Sequence, residues 1–322
     1  MDTSTAGVRH GGSSCGAGSE SAQASGSALG PRPARACRCA ERIRSLGANA
    51  LVRTGFMPLQ RANEAELYYE VRGDGPPLLL MMGASGYGGV FGRFAEFLAD
   101  EFTVVTYDRR GNGQSPKPAG WNATSPEEQA DDAAALLAGL GLAPAAIFGT
   151  SSAGIFALAA LIRHPESVRG AVLHEPALFA LFDDPKDVRN RLTQLVKEGM
   201  EAGGPARAFE RFLRFAAGDA NWERLEPGVQ KGMLASADTY FGVESGAFDS
   251  YLPDEETVAS ITIPIKLLVS EQSHAFFSEA AARLAELLGA EVARTPGTHF
   301  PYLDHPQELA QTVRPFLRRV SP

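Results

Sequence analysis

The chain has 322 residues, 44% of them hydrophobic, and a net charge of −8. That much apolar material excludes a wholly disordered protein, and the acidic balance argues against nucleic acid as a partner. No run of about 18 apolar residues occurs, so no segment is predicted to span a membrane.

Residues 1–56 are rich in Gly, Ser, Ala and Arg and lack hydrophobic periodicity. They cannot bury enough apolar surface to offset the entropy of ordering, and a disordered extension is expected. Seven arginines there face Asp2, Glu20 and Glu41, about +4, which leaves the body near −12. Arg35, Arg38, Arg42 and Arg44 faintly resemble an organelle-targeting peptide, but the apolar run of a secretory signal is missing; Met57 as the true start is the other reading. All three cysteines, Cys15, Cys37 and Cys39, fall in this stretch, so the body suits a reducing compartment and is assigned to the cytoplasm.

From Glu66 onward, short apolar runs alternate with helical spacing. Strands are predicted at 67–71, 77–82, 103–107, 145–148, 170–173, 264–270 and 290–294, with helices at 91–98, 126–140, 153–163, 278–288 and 306–318. Continuous rather than alternating apolar strands imply a mainly parallel sheet covered on both faces, an α/β fold. The alternation stops between about 178 and 260, where helical patterns at 188–200 and 206–216 have no strand between them. The expected organisation is therefore a core made of 57–177 and 261–322, with 178–260 as a helical cap. Ligands of such sheets bind beyond the carboxyl ends of the strands.

Gly149-Thr150-Ser151-Ser152-Ala153-Gly154 follows the strand at 145–148 and opens a helix, the context of a nucleophile elbow. A turn so tight needs small residues two before and two and three after the nucleophile. Centring on Ser151 places Gly149, Ala153 and Gly154 there, whereas centring on Ser152 would place β-branched Thr150 at the first position, so Ser151 is the candidate nucleophile. A serine needs a base, and His299, just beyond the last strand in PGTHFPYLDHP, is assigned that role. His305 stands at the start of the final helix, His164 is far from the sheet edge, and His174 and His274 read as hydrogen-bonded loop residues.

The acid that orients the base is commonly an Asp after the next-to-last strand, but here Ser273 holds that place. Glu175, which ends the strand after the nucleophile helix, is assigned instead, with Glu271 second and Asp304 third. The oxyanion donors are expected at Ser152 N–H and at Gly83 or Ala84 N–H. Asp108-Arg109-Arg110-Gly111-Asn112-Gly113-Gln114-Ser115 reads as a structural turn that holds neighbouring loops.

Taken in order over about 65–318, these residues resemble the α/β-hydrolase superfamily and, within it, the zearalenone lactonase group, on the strength of GTSSAG, HEP and PGTHFPYLDHP. The resemblance implies an eight-stranded sheet flanked by helices with a cap after the sixth strand, an acid at Glu175, and oxyanion donors at Gly83 and Ser152. It also places Tyr240 where that group has a pocket tryptophan, with Trp222 on an earlier segment. Together with Ala84, Ser85 and Phe300 these form the expected substrate-binding set. The implied partner is a small-molecule ester or lactone, such as a zearalenone-type macrolactone or an aromatic polyketide ester. No metal or organic cofactor is expected, because no metal-spaced ligand cluster occurs. Oligomeric state is left open, with a homodimer among the options. Carbon–carbon bond hydrolysis, perhydrolysis and a non-catalytic ligand-binding homologue are the alternatives; a dehalogenase or epoxide hydrolase would place Asp, not Ser, at the elbow.

Overall fold

The computed structural model describes residues 58–248 and 251–321. The extension expected at 1–56 lies outside the described residues. Eight strands form one sheet: β1 (Leu59–Ala62), β2 (Ala65–Arg72), β3 (Pro77–Met81), β4 (Thr103–Tyr107), β5 (Ala145–Thr150), β6 (Val168–His174), β7 (Ile265–Ser270) and β8 (Val292–Thr295). Their order is β1-β2-β4-β3-β5-β6-β7-β8. The β1/β2 and β2/β4 pairs are antiparallel and every other pair is parallel. The seven strands predicted from the apolar runs are present within a few residues. The additional strand, β1, is the short edge of a hairpin turned at Asn63.

All six residues of β5 are buried, as are four of five in β3. Side chains alternate between two cores, as a pleated strand requires. Leu79, Ile147, Leu173 and Leu267 face one core, while Leu80, Phe148, Val172 and Leu268 face the other. The first is covered by α2 (Pro126–Leu140), α3 (Ser152–Arg163) and α7 (Ala275–Leu288), and the second by α1 (Gly92–Leu98) and α8 (Pro306–Val320). The start of α2 shows local logic: Ser125 Oγ accepts the Glu128 N–H at 3.2 Å, Pro126 opens the first turn, and Gly141 ends the helix at φ 70°.

Between β6 and β7 the described residues contain no strand. They include α4 (Pro185–Ala217), α5 (Asp219–Arg224), α6 (Pro227–Leu234), a single turn at Ala237–Thr239, and a π-helical turn at Tyr240–Glu244. Helix α4 breaks at Gly203-Gly204, where Gly204 adopts φ 76° and Pro205 restarts the helix, so the two predicted helices are the arms of one hairpin. The arms approach closely: a Cβ on Gly199 would lie 2.3 Å from Ala208 Cα.

The chain order places β3 at the centre, with β4 added on one side and β5 on the other. Loops leaving β3 and β5 therefore diverge, and a crevice opens at their carboxyl ends. Beneath the crevice, Arg110 is almost fully buried and bonds Asp132 at 2.5 and 2.6 Å and Glu128 at 2.6 Å. Truncating Asp132 would leave the buried guanidinium with only the partly exposed Glu128 as carboxylate partner, so Asp132→Ala is expected to destabilise the fold by ~3 kcal/mol, read as a lower urea unfolding midpoint.

Candidate active site

The first edge of the crevice is the turn joining β5 to α3. Ser151 is its only residue outside both elements and sits at φ 58°, ψ −128°, a conformation L residues rarely adopt. Three backbone bonds hold it: Ser151 N–H donates to His174 O at 3.0 Å, and Ser151 O accepts Gly154 N–H at 2.9 Å and Ala177 N–H at 3.2 Å. There is no space for larger neighbours. A Cβ on Gly149 would meet Ala153 O at 2.4 Å, and one on Gly154 would meet Pro176 Cβ at 2.8 Å. Gly83, from the loop after β3, packs against the same turn, where a Cβ would lie 2.8 Å from Thr150 O and 3.0 Å from Ser151 Cβ.

Glu175 follows β6 at φ 43°, its N–H bonded to Leu268 O at 2.9 Å, and its carboxylate is fully buried. Oε1 accepts the Ser270 N–H at 2.7 Å; Oε2 accepts the Ser273 hydroxyl at 2.8 Å and His299 Nδ1–H at 2.5 Å. Burial alone would raise this carboxyl, but the neighbouring His174, the His299 hydrogen bond and the Ser270 N–H together hold it below its usual range. A carboxylate only accepts, so Nδ1 carries the proton in the neutral imidazole and Nε2 is left as the acceptor. Phe277 stacks on the ring at 4.2 Å and 7°, fixing its plane. Thus Ser273, in the place where an acid is common, is a donor to the Glu175 carboxylate that follows the neighbouring strand. Glu271 is exposed, and Asp304 instead accepts Thr298 N–H at 2.9 Å and Thr298 Oγ1–H at 2.7 Å, bracing the loop that carries His299.

The loop after β3 is held from beneath. Arg109, fully buried, donates from Nε to Met82 O at 3.0 Å and from Nη2 to Gly83 O at 2.9 Å. It also meets Glu244, on the π-helical turn, at 2.6 and 2.8 Å. Asp108 accepts Gly88 N–H at 2.7 Å and Gln114 N–H at 2.8 Å, and burial pushes its carboxyl up to about 6. The turn that begins at Asp108 therefore ties loops together, as its glycines suggested.

A cavity of about 480 Å³ lies over these groups, with Ala84, Ser151, Ser152 and His299 in its wall. The opposite wall is aromatic: Phe182, Phe212, Phe215, Tyr240, Phe248 and Phe276 contribute. Exposed Arg189, Thr193 and Lys197 complete it. Of the expected substrate-binding residues, Ala84 and Tyr240 line the cavity and Ser85, Trp222 and Phe300 do not. Ser85 is fully buried behind Ala84, Trp222 packs with Phe209 and Met233 in the second core, and Phe300 packs on Tyr302 at 5.8 Å. The phenylalanines of the wall were not singled out by sequence; the only available signal was the spacing of Phe212 and Phe215 along one arm of α4. A second depression, about 490 Å³, lies at the opposite end of the sheet around Ile263 and Leu288, away from these groups. Among the described residues, no helix is long and apolar enough to cross a membrane, and no cluster of three or more metal-ligating side chains occurs.

His174 lies directly behind the pair. Its Nδ1 is 2.8 Å from Thr150 Oγ1 and its Nε2 3.0 Å from Ser270 Oγ, so it bridges the ends of β5 and β7. Complete burial lowers its pKa to about 4. With an unfolded value near 6.5, this group contributes stability that is present above about pH 6.5 and lost as pH falls through 4, about 3 kcal/mol in all. Glu175, also depressed, loses stability as pH falls as well. His174→Gln, which cannot take up a proton, is expected to flatten part of the decline in melting temperature between pH 7 and 4.

The alpha/beta hydrolase fold family matches the chain over residues 76–306. An uncharacterized hydrolase, YraK of Bacillus subtilis (strain 168), is 30% identical over 262 residues, covering 79% of this chain and 93% of that protein. Among solved structures, a thermophilic esterase from Thermogutta terrifontis aligns with a TM-score of 0.68 at 22% identity, over 83% of this chain and all of the other. The enol-lactonase from Burkholderia xenovorans LB400 aligns at 0.66 and 22%, over 81% of this chain and all of the other. Strand order, elbow and family match agree: the chain belongs to the alpha/beta hydrolase fold family.

Proposed function

We propose that the protein is a serine hydrolase of carboxylic esters or lactones, with Ser151 as nucleophile, His299 as general base and Glu175 as the acid that orients it. The observation that carries this reading is the 2.5 Å contact between Glu175 Oε2 and His299 Nδ1, which leaves Nε2 unprotonated on a ring that shares a cavity with Ser151. Ser151 Oγ attacks the carbonyl carbon as Nε2 takes its proton, and Glu175 stabilises the imidazolium. The oxyanion is held by N–H groups of Ser152 and of the Gly83 loop. His299 returns the proton to the departing alkoxide, and water then cleaves the acyl-enzyme through the same base.

The wall supports a class of substrate. A cavity of about 480 Å³ faced largely by phenylalanines suits an ester with an aromatic or long apolar portion. An aromatic polyketide ester or a zearalenone-type macrolactone meets that description, and the resemblance of the elbow and of HEP to zearalenone lactonases supports it. The solved esterase and lactonase structures share the fold, which is compatible with either bond type.

Hydrolysis of p-nitrophenyl acetate, p-nitrophenyl butyrate, zearalenone and an aryl-polyketide methyl ester tests both levels. Ser151→Ala is expected to lose at least about 10⁴-fold in kcat, and Glu175→Gln about 10²- to 10⁴-fold, because the imidazole tautomer is no longer fixed. Glu271→Gln should stay within about twofold, since an exposed carboxylate away from His299 has no part in the transition state. A crippling effect of Glu271→Gln would move the acid to that residue, and turnover of simple esters alone would remove zearalenone.

A further inference from the structure

In a trans peptide the N–H points opposite to the C=O of the preceding residue, so whatever grips that carbonyl also aims the N–H. The Gly83 N–H belongs to the unit carrying Met82 O, and the Ala84 N–H to the unit carrying Gly83 O. Both carbonyls are held by the same guanidinium, at 3.0 and 2.9 Å. Successive carbonyls of an extended strand face opposite ways. Here both face one group, so the chain is curled, and both N–H groups point to the side away from Arg109. Gly86 N–H closes the curl on Gly83 O at 2.9 Å.

Arg109 is itself positioned from a distance. Glu244, 135 residues away on the helical segment between β6 and β7, clamps it through both oxygens, and both side chains are fully buried. Glu244 Oε1 also accepts Asn112 Nδ2–H at 3.1 Å, Arg109 Nη1 donates to Gln129 Oε1 at 3.1 Å, and the guanidinium lies 5.1 Å from the Phe156 ring centroid. The same helical segment grips the neighbouring backbone twice more: Ser236 Oγ–H donates to Ser85 O, and Thr239 Oγ1–H to Gly111 O at 2.6 Å.

We propose that Glu244 is a positioning residue for the oxyanion site: through Arg109 it orients the Gly83 and Ala84 N–H groups, making the segment that covers the cavity a working part of the site beneath it. This rests on the serine-hydrolase reading above. A buried ion pair with only a structural role would lower stability when broken but leave turnover per folded site intact.

The test compares full-length wild type with Glu244→Gln, Arg109→Lys and Ser236→Ala, each below its melting temperature. Active sites are counted by fluorophosphonate labelling. With p-nitrophenyl butyrate, Glu244→Gln is expected to lower kcat per site by about 10- to 100-fold while KM moves less than about threefold, the pattern of a lost transition-state interaction. Inhibition by an aryl trifluoromethyl ketone, whose serine adduct bears an oxyanion, should weaken by the same factor. The affinity of 4-phenylbutan-1-ol, which has no carbonyl, should hold. Arg109→Lys cannot grip two carbonyls and a carboxylate together and should behave like Glu244→Gln. If Glu244→Gln does not accumulate, Ser236→Ala, which cuts one tether, should show the same pattern at about 3- to 10-fold. Unchanged kcat per site and unchanged ketone affinity would overturn the proposal. Hydrogen–deuterium exchange gives a readout independent of turnover: uptake across residues 82–86 should rise in Glu244→Gln while β3 and β5 stay protected, and unchanged uptake there also overturns it. Should wild type be neither labelled nor active, the hydrolase reading fails, and the exchange result still decides whether Glu244 holds the loop.

Discussion

A carboxylate with no solvent access survives only if its lone pairs are met by donors, and Glu175 is in that position. Its donors come from the end of β7, from the loop after β7 and from the loop after β8. Much of the surrounding structure follows from this requirement. The β6/β7 register brings His174 opposite Leu268, and the Leu268 carbonyl then receives the Glu175 N–H. The positive φ at Glu175 turns its side chain back over the sheet edge instead of along the strand. Even the neutral Ser273 becomes intelligible: with the charge supplied from β6, a second acid after β7 would repel it, whereas a hydroxyl satisfies it.

The other edge of the crevice obeys steric constraints rather than electrostatic ones. Ser151 occupies a strained backbone geometry because β5 must reverse into α3 within one residue, and the cost is met by three backbone hydrogen bonds and by glycines on either side. Gly83 completes the arrangement from β3, since any side chain there would strike the turn. Close approach of three backbones, not flexibility, is what these glycines provide.

Much of the fold was legible in sequence because buried parallel strands announce themselves as continuous apolar runs. The edge strand Leu59-Gln60-Arg61-Ala62 did not, since a half-exposed strand of four residues has neither an apolar run nor a clear alternation. The elements bearing Ser151, Glu175 and His299 could be found because each stands immediately beyond a recognisable strand, where chain order alone brings them to one edge. The cavity wall could not be found that way. Whether Trp222 or Phe212 faces a ligand depends on helix rotation and on the hairpin angle at Gly203-Gly204, which local spacing does not encode. The Arg109–Glu244 pair was equally invisible, because nothing near either residue names a partner 135 positions away.

Ser151 N–H is bonded to His174 O, and Glu175 is the next residue. The proposed nucleophile and the proposed acid thus ride on adjacent strands of one sheet, and only the imidazole arrives on a separate loop. Alignment of the three groups reduces to a problem with few degrees of freedom, those of residues 296–305. Drift during divergence, and laboratory evolution aimed at altered reactivity, should therefore concentrate their consequences in that single loop, where Asp304 and Phe277 act as its two fixed bearings.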